Sequence, residues 1–174
     1  MGFFNRFRAQ SHGEDELTLA DLTIPIAAVD FTEVLEEAWS WLIKDTDKPF
    51  MMSAIGDLFI ESPSGVITWL DVGRGLFNPV ADSRAEFEKM LTLPDAREEL
   101  LSPKLVSALR ARKPLQNHQC YSYLQPPFLG GQVKPSNFEP ADIFVHLDLF
   151  GHILEKVKEL PPGTKVRFDL KPKS

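Results

Sequence analysis

Met51-Met52-Ser53-Ala54-Ile55-Gly56-Asp57-Leu58-Phe59-Ile60-Glu61-Ser62-Pro63-Ser64-Gly65-Val66-Ile67-Thr68-Trp69-Leu70-Asp71 holds two apolar runs, one on each side of a Ser-Pro-Ser-Gly turn signal. Met51 to Ile55 and Asp57 to Glu61 read as strands, residues 62–65 as a turn, and Val66 to Asp71 as the returning strand. Gly73-Arg74-Gly75 makes a second turn into Leu76 to Val80. The stretch therefore predicts an antiparallel meander of at least three strands, and its alternating apolar residues need something to cover one face.

Helical spacing supplies the cover on both sides of this stretch. Phe31, Val34, Leu35, Ala38, Trp41 and Leu42 recur every three or four residues, with Asp30 and Glu33 at capping-box spacing, so a helix is predicted from Asp30 to before Pro49. Trp41 falls on the apolar stripe of that helix and Trp39 on its flank. Ser83 and Glu86 repeat the capping-box spacing ahead of Phe87, Met90 and Leu91. Pro94 punctuates that helix, and another helical piece runs to about Leu101. Ser102-Pro103 places a serine cap and a first-turn proline before Leu105, Val106 and Leu109. Ile143, Leu147, Phe150, Leu154 and Val157 predict a helix from about Asp142 to Leu160, with Gly151 a weak spot in its middle; a strand over Ile143 to Leu147 is the rival reading. Val166, Phe168 and Leu170 alternate with charged residues as a final strand. Between Pro114 and Pro140 the chain is a proline-shaped loop with a short strand at Gln119 to Leu124, and a loop of that length is either functional or packed on the core. Ala9 to Glu16 is polar and aperiodic. The expected organisation is a flexible segment 1–16 followed by a single α+β domain, 17–174.

The 174 residues are enough to bury roughly 70% of the surface of the unfolded chain. One cysteine, Cys120, excludes an internal disulfide and a cysteine-based zinc cluster, which fits a reducing cytoplasm. Nineteen basic against 25 acidic residues leave a formal charge of -6, which disfavours a surface that must neutralise phosphates and suits a basic protein partner. No apolar run reaches transmembrane or signal-peptide length, so a cytoplasmic protein without membrane contact is expected. Gly2 stands like a myristoylation start, but Arg6 occupies the position that needs Ser or Thr.

Candidate chemistry is sparse. Cys120 and His118 sit two residues apart with no orienting third group, which argues against a nucleophile pair. Asp148 and His152 share a helical face, but His146 falls about 240° away from His152 on a helix, so three-point metal coordination is not expected. The glycines at 73, 75, 130 and 131 lack the Lys-Ser/Thr of a phosphate loop and the three-glycine spacing of a dinucleotide fold. No catalytic residue, metal ligand or cofactor is predicted.

Several motifs occur in a fixed order: Ile55-Gly56-Asp57-Leu58-Phe59, Trp69-Leu70-Asp71, the Phe87 helix after Asp82-Ser83, Gln119-Cys120-Tyr121 with Pro126-Pro127-Phe128-Leu129-Gly130-Gly131, and Leu160-Pro161-Pro162-Gly163-Thr164-Lys165. In that order, from about Asp30 to Leu170, the chain resembles the C-terminal domain of bacterial type VI secretion immunity proteins that neutralise DNase toxins. Such proteins often carry a further domain related to one of glutamyl-tRNA amidotransferases. Met1 to Asp30 is too short for it, so the resemblance is to a stand-alone form. It implies a non-catalytic module that binds a cognate toxin or effector, and it implies no catalytic residues. The candidate contact residues are Trp69, Asp71 and Arg74 on the strand and turn, and Tyr121, Tyr123, Phe128 and Leu129 in the proline-rich region, because loops on a rigid scaffold carry recognition. The alternative is a small-ligand or regulatory domain whose apolar pocket is walled between Tyr121 and Phe138.

Overall fold

A computed structural model describes residues 17–161 and residue 164. The segment 1–16 and the strand expected over Val166 to Leu170 lie outside the described residues. In chain order the elements are α1 (Leu19–Leu22), β1 (Thr23–Ile24), α2 (Thr32–Ala38), β2 (Lys48–Ser53), β3 (Leu58–Glu61), β4 (Ile67–Asp71), β5 (Leu76–Ala81), α3 (Arg84–Met90), α4 (Pro94–Leu101), α5 (Pro103–Arg112), β6 (Gln119–Tyr123), β7 (Phe138–Asp142) and α6 (Ile143–Val157). This is an α+β arrangement. β1 to β5 form one antiparallel sheet in sequence order, and β6 pairs with β7 as a separate antiparallel ribbon.

The meander holds the runs expected between Met51 and Val80 and gains β1 at one edge, and both of its faces are covered. Along β3, Leu58 and Ile60 point into one apolar cluster and Phe59 into the other. α2 and α6 close the first face with Val34, Ala38, Leu147, Phe150 and Leu154. α3, α4 and α5 close the second with Phe87, Leu100, Leu101, Val106 and Leu109, joined by Tyr121 and Phe138 of the ribbon. The sheet is thus the middle layer of three, which is why its strands read as nearly continuous apolar runs rather than a clean alternation.

The helix expected from Asp30 towards Pro49 is shorter: it stops at Ala38, and Trp39 takes φ -130° and ψ 0°. Beyond that point helical phase no longer decides which side chain faces inward. Trp39, expected on the flank, is fully buried and donates its indole N–H to Leu147 O at 3.0 Å, whereas Trp41, expected in the core, is half-buried with Lys158 Nζ 4.4 Å from its ring centroid. Asp30 is not the cap of this helix: Phe31 holds that position, and Asp30 accepts from Thr32 N–H at 2.9 Å from one residue ahead of it. The Ser83 cap is present, Oγ accepting from Glu86 N–H at 3.2 Å, while the Glu86 carboxylate reaches Asp82 N–H at 2.8 Å. Ser102 is a correction. Its backbone is left-handed (φ 48°) because it ends α4 as well as starting α5, and its side chain makes no cap bond.

Residues 143–157 are one helix, which settles the rival strand reading. Gly151 is no weak spot. A Cβ there would meet Ala38 O at 2.6 Å and Trp39 Nε1 at 2.8 Å, so the missing side chain is what lets α6 lie against the end of α2.

Candidate functional site

The expected contact residues fall into two groups. Trp69, Asp71 and Tyr121 are buried, so their part in a contact surface loses its basis: each is spent on the interior. Trp69 stacks on Phe59 with centroids 6.4 Å apart and donates to Asp57 Oδ2 at 3.3 Å. Tyr121 donates its hydroxyl to Lys113 O at 2.9 Å. Tyr123 is half-buried, packed over Gly73 and 4.1 Å from the Phe138 ring. Arg74 is exposed and binds Asp71 through a 2.9 Å ion pair. Phe128 and Leu129, both half-buried, sit on a short 3-10 turn (Pro127–Leu129) tied to the 73–75 turn by Phe128 N–H donating to Gly73 O at 3.3 Å. Arg74, Phe128 and Leu129 therefore share one corner of the surface. Tyr123 packs on Phe138 and Phe128 on Phe150 of the core, so these rings do not wall a pocket between them.

Beneath that corner lies a cluster of polar groups that sequence reasoning did not assemble. Asp57, 2% exposed, accepts from Val72 N–H at 3.0 Å and from Trp69. Burial, then the neighbouring Asp71 carboxylate, push the Asp57 carboxyl well above the usual range. Asp71 answers the Arg74 backbone N–H and guanidinium, both at 2.9 Å. The same burial and the two carboxylates raise the Tyr123 phenol. On the facing helix, His146 is fully buried, its Nδ1 2.9 Å from Ser122 Oγ. Its Nε2 faces Gly56 without hydrogen-bond geometry to any described residue. Burial pulls that imidazole down to about 4, so it is neutral at physiological pH. Gly56 has φ +92°, and a Cβ there would stand 2.3 Å from His146 Nε2, which explains the glycine in the first motif.

Cys120 is fully buried, and burial, followed by the Asp57 and Asp142 charges, drives its thiol far up, away from the reactive thiolate. His118 is exposed with φ 59°, so the imagined pair does not meet. His152 turns back on its own helix, with Nδ1 2.8 Å from Asp148 O and 3.3 Å from Asp148 Oδ1. Among the described residues no group of three or more His, Cys, Asp or Glu is placed to hold a metal ion.

Asn137 was also missed. It organises the proline-rich loop by accepting from Gln125 N–H at 3.0 Å and donating to Gln125 O at 2.7 Å and Gln132 O at 2.8 Å. The loop is packed, not free, and the signal for that was only an isolated Asn between prolines.

Two of the depressions that open to solvent bear on binding. One, of about 460 Å³, runs beside β1 and the start of β6 and is lined by Arg110, Gln116, His118 and Tyr121 among others. The second, of about 510 Å³, lies between α2 and α6 and is lined by Val34, Phe144 and Val145 with four carboxylates. No helix among the described residues is long and apolar enough to cross a membrane.

Residues 81–163 match the family model described as "T6SS immunity protein Tdi1, C-terminal". Over that span, somewhat under half of its length, the chain is similar to the type VI secretion immunity family. The matched span runs from the end of β5 through α6, so it takes in α3 to α5, the β6–β7 ribbon, Cys120 and His146, and it leaves β1 to β4 with the Gly56-Asp57 and Trp69-Leu70-Asp71 motifs outside. No curated protein matches. A solved structure, "Crystal structure of Atu4351 from Agrobacterium tumefaciens", is similar at TM-score 0.47 and 17% identity, covering 70% of this chain; the chain spans 62% of that protein's length.

Proposed function

We propose that this protein is an immunity protein that neutralises a cognate toxin delivered by a type VI secretion system, in the cytoplasm and by binding. The match of residues 81–163 to the T6SS immunity family carries this reading. Two features support it. The groups that could do chemistry, Asp57, Cys120 and His146, are buried, and burial keeps the Cys120 thiol from ionising. The formal charge of -6 favours a basic protein partner through long-range attraction.

The test is co-expression. Cells producing the secreted effector encoded beside this protein lose viability, and regain it when this protein is produced with the effector. Failure to protect against that effector, with both proteins present in soluble form, removes the immunity reading. The rival, a small-ligand domain, has one observation behind it, the 460 Å³ depression with Arg110, His118 and Tyr121 on its walls. It predicts a dose-dependent rise in melting temperature with a nucleotide or metabolite, which the immunity reading does not.

A further inference from the structure

The five-stranded sheet ends in β1 on one side and β5 on the other. β1 is two residues long and runs into Pro25, so it offers almost no ladder to another strand. β5 is six residues long and, among the described residues, pairs only with β4. Its far edge therefore presents a row of N–H and C=O groups, and the side chains along it are wet. Leu76 is 44% exposed, Asn78 and Pro79 are exposed, and Phe77 is half-buried. Folded proteins cover or blunt an edge of that length.

α6 delivers the chain to this edge. His146 lies against Gly56, in the turn between β2 and β3, and Leu154 lies against Gly75, in the turn between β4 and β5. The helix rises about 12 Å from His146 to Leu154, close to the two strand spacings, about 10 Å, that separate those turns. α6 thus crosses the strand ends from the middle of the sheet outward. Its last residue, Val157, stands about 4.5 Å beyond Leu154, one further strand spacing, at the margin of β5. A turn follows, in which the Thr164 N–H and hydroxyl both donate to Pro161 O, at 3.1 and 2.7 Å.

The sequence after that turn has the pattern the edge needs. Val166, Phe168 and Leu170 alternate with Lys165, Arg167 and Asp169. Along β5, Phe77 packs with Leu154 on the α6 side of the sheet, while Asn78, paired with Trp69, turns to the other side. From this match of edge, chain path and pattern we infer that residues 166–170 add to β5 as a sixth strand. Val166, Phe168 and Leu170 extend the apolar face over Phe77, and Lys165, Arg167 and Asp169 lie on the Asn78 side, in solvent. The strand runs parallel to β5, because α6 ends beside the first residues of β5. Pro79 has no N–H to give, so the ladder is centred on Leu76 to Asn78. Charged side chains on the new outermost strand then discourage a further one. The inference stands apart from the immunity reading and fails or holds without it.

Amide hydrogen exchange of the purified full chain tests it. Residues 166–170 exchange at least about a hundredfold more slowly than an unstructured chain, and Phe168→Asp speeds exchange both there and over Leu76 to Asn78. Exchange of 166–170 at the unstructured rate in the wild-type protein overturns the proposal. An engineered cross-link reads the position. One of Lys165→Cys, Arg167→Cys and Asp169→Cys closes a disulfide with Asn78→Cys under mild oxidation, and none does with Glu99→Cys on the exposed side of α4. Cys120, the native thiol, is buried and takes no part. Protection of 166–170 without any cross-link to position 78 places the strand elsewhere, and the proposal fails. Protection that disappears on about tenfold dilution comes from a strand exchanged between two copies of this chain, and it fails again.

Discussion

Beneath the 73–75 turn, Asp57, Asp71, Cys120 and His146 gather groups a reaction could use, and burial takes them out of reach. Along the α2–α6 groove the opposite holds: Glu33, Phe144 and Val145 are exposed. That contrast separates the two kinds of substitution that can be made in this protein. Changes in the buried cluster should be read in stability, and changes at the exposed groove positions should leave it nearly unchanged.

The largest effect joins the two regions. Gly151→Val drives a branched side chain into Ala38 O and the Trp39 indole, forcing α6 away from α2. A loss of about 3 kcal/mol or more in denaturant unfolding is expected, the upper end for overpacking. Unchanged stability would mean that the helices do not meet at this glycine.

Next is the pH response of the cluster. The His146 imidazole titrates near 4 in the fold against an ordinary 6.5, so its contribution is fully present above pH 6.5 and is lost as pH falls towards 4. The change is on the order of 3 kcal/mol across that window. Asp57 acts with the opposite sign. Its raised carboxyl contributes stability below the ordinary 3.8 and gives it up as pH rises. Unfolding measured at pH 7, 5.5 and 4.5 should fall steeply towards acid, and His146→Gln should flatten the fall; an equal slope in both proteins would show the histidine to be solvated.

Asp57→Ala strands the Val72 N–H and the Trp69 indole N–H, and about 2 kcal/mol should be lost while equimolar neutralisation of the toxin survives in whatever protein remains folded. Loss of neutralisation without loss of stability would place the functional surface at the 73–75 corner, where Arg74, Phe128 and Leu129 lie. The smallest effect is at Cys120. Cys120→Ala should cost about 1 kcal/mol and leave protection of cells unchanged, and the native thiol should resist alkylation until the protein is unfolded.

What the sequence showed and what it hid divide along the same line. The meander was legible from Ser62-Pro63-Ser64-Gly65 and the strands beside it, and α3 from Ser83 and Glu86, because turn and cap chemistry is local. The exchange of Trp39 and Trp41 was not, since it depends on α2 stopping at Ala38, where Gly151 of a helix more than a hundred residues later packs. The Asp57–Asp71 cluster was hidden for a related reason: a carboxylate in a strand reads as solvent-facing until a third layer covers that face. Trp69, Asp71 and Tyr121 were drawn as contact candidates along with the turn at 73–75 and the proline-rich loop, but the sheet is buried on both sides and Tyr121 of the ribbon packs into the same core. The groove was invisible because its floor, Phe144 and Val145, belongs to the outer side of a helix whose periodicity pointed to the core.

Titration of toxin activity against this protein tests the central claim most directly. The account predicts that activity falls linearly to zero at one molar equivalent, and that active toxin is recovered when the complex is separated under denaturing conditions and refolded. Complete inactivation by a small fraction of an equivalent, or recovery of a chemically altered toxin, would contradict it and require a catalytic site in this chain.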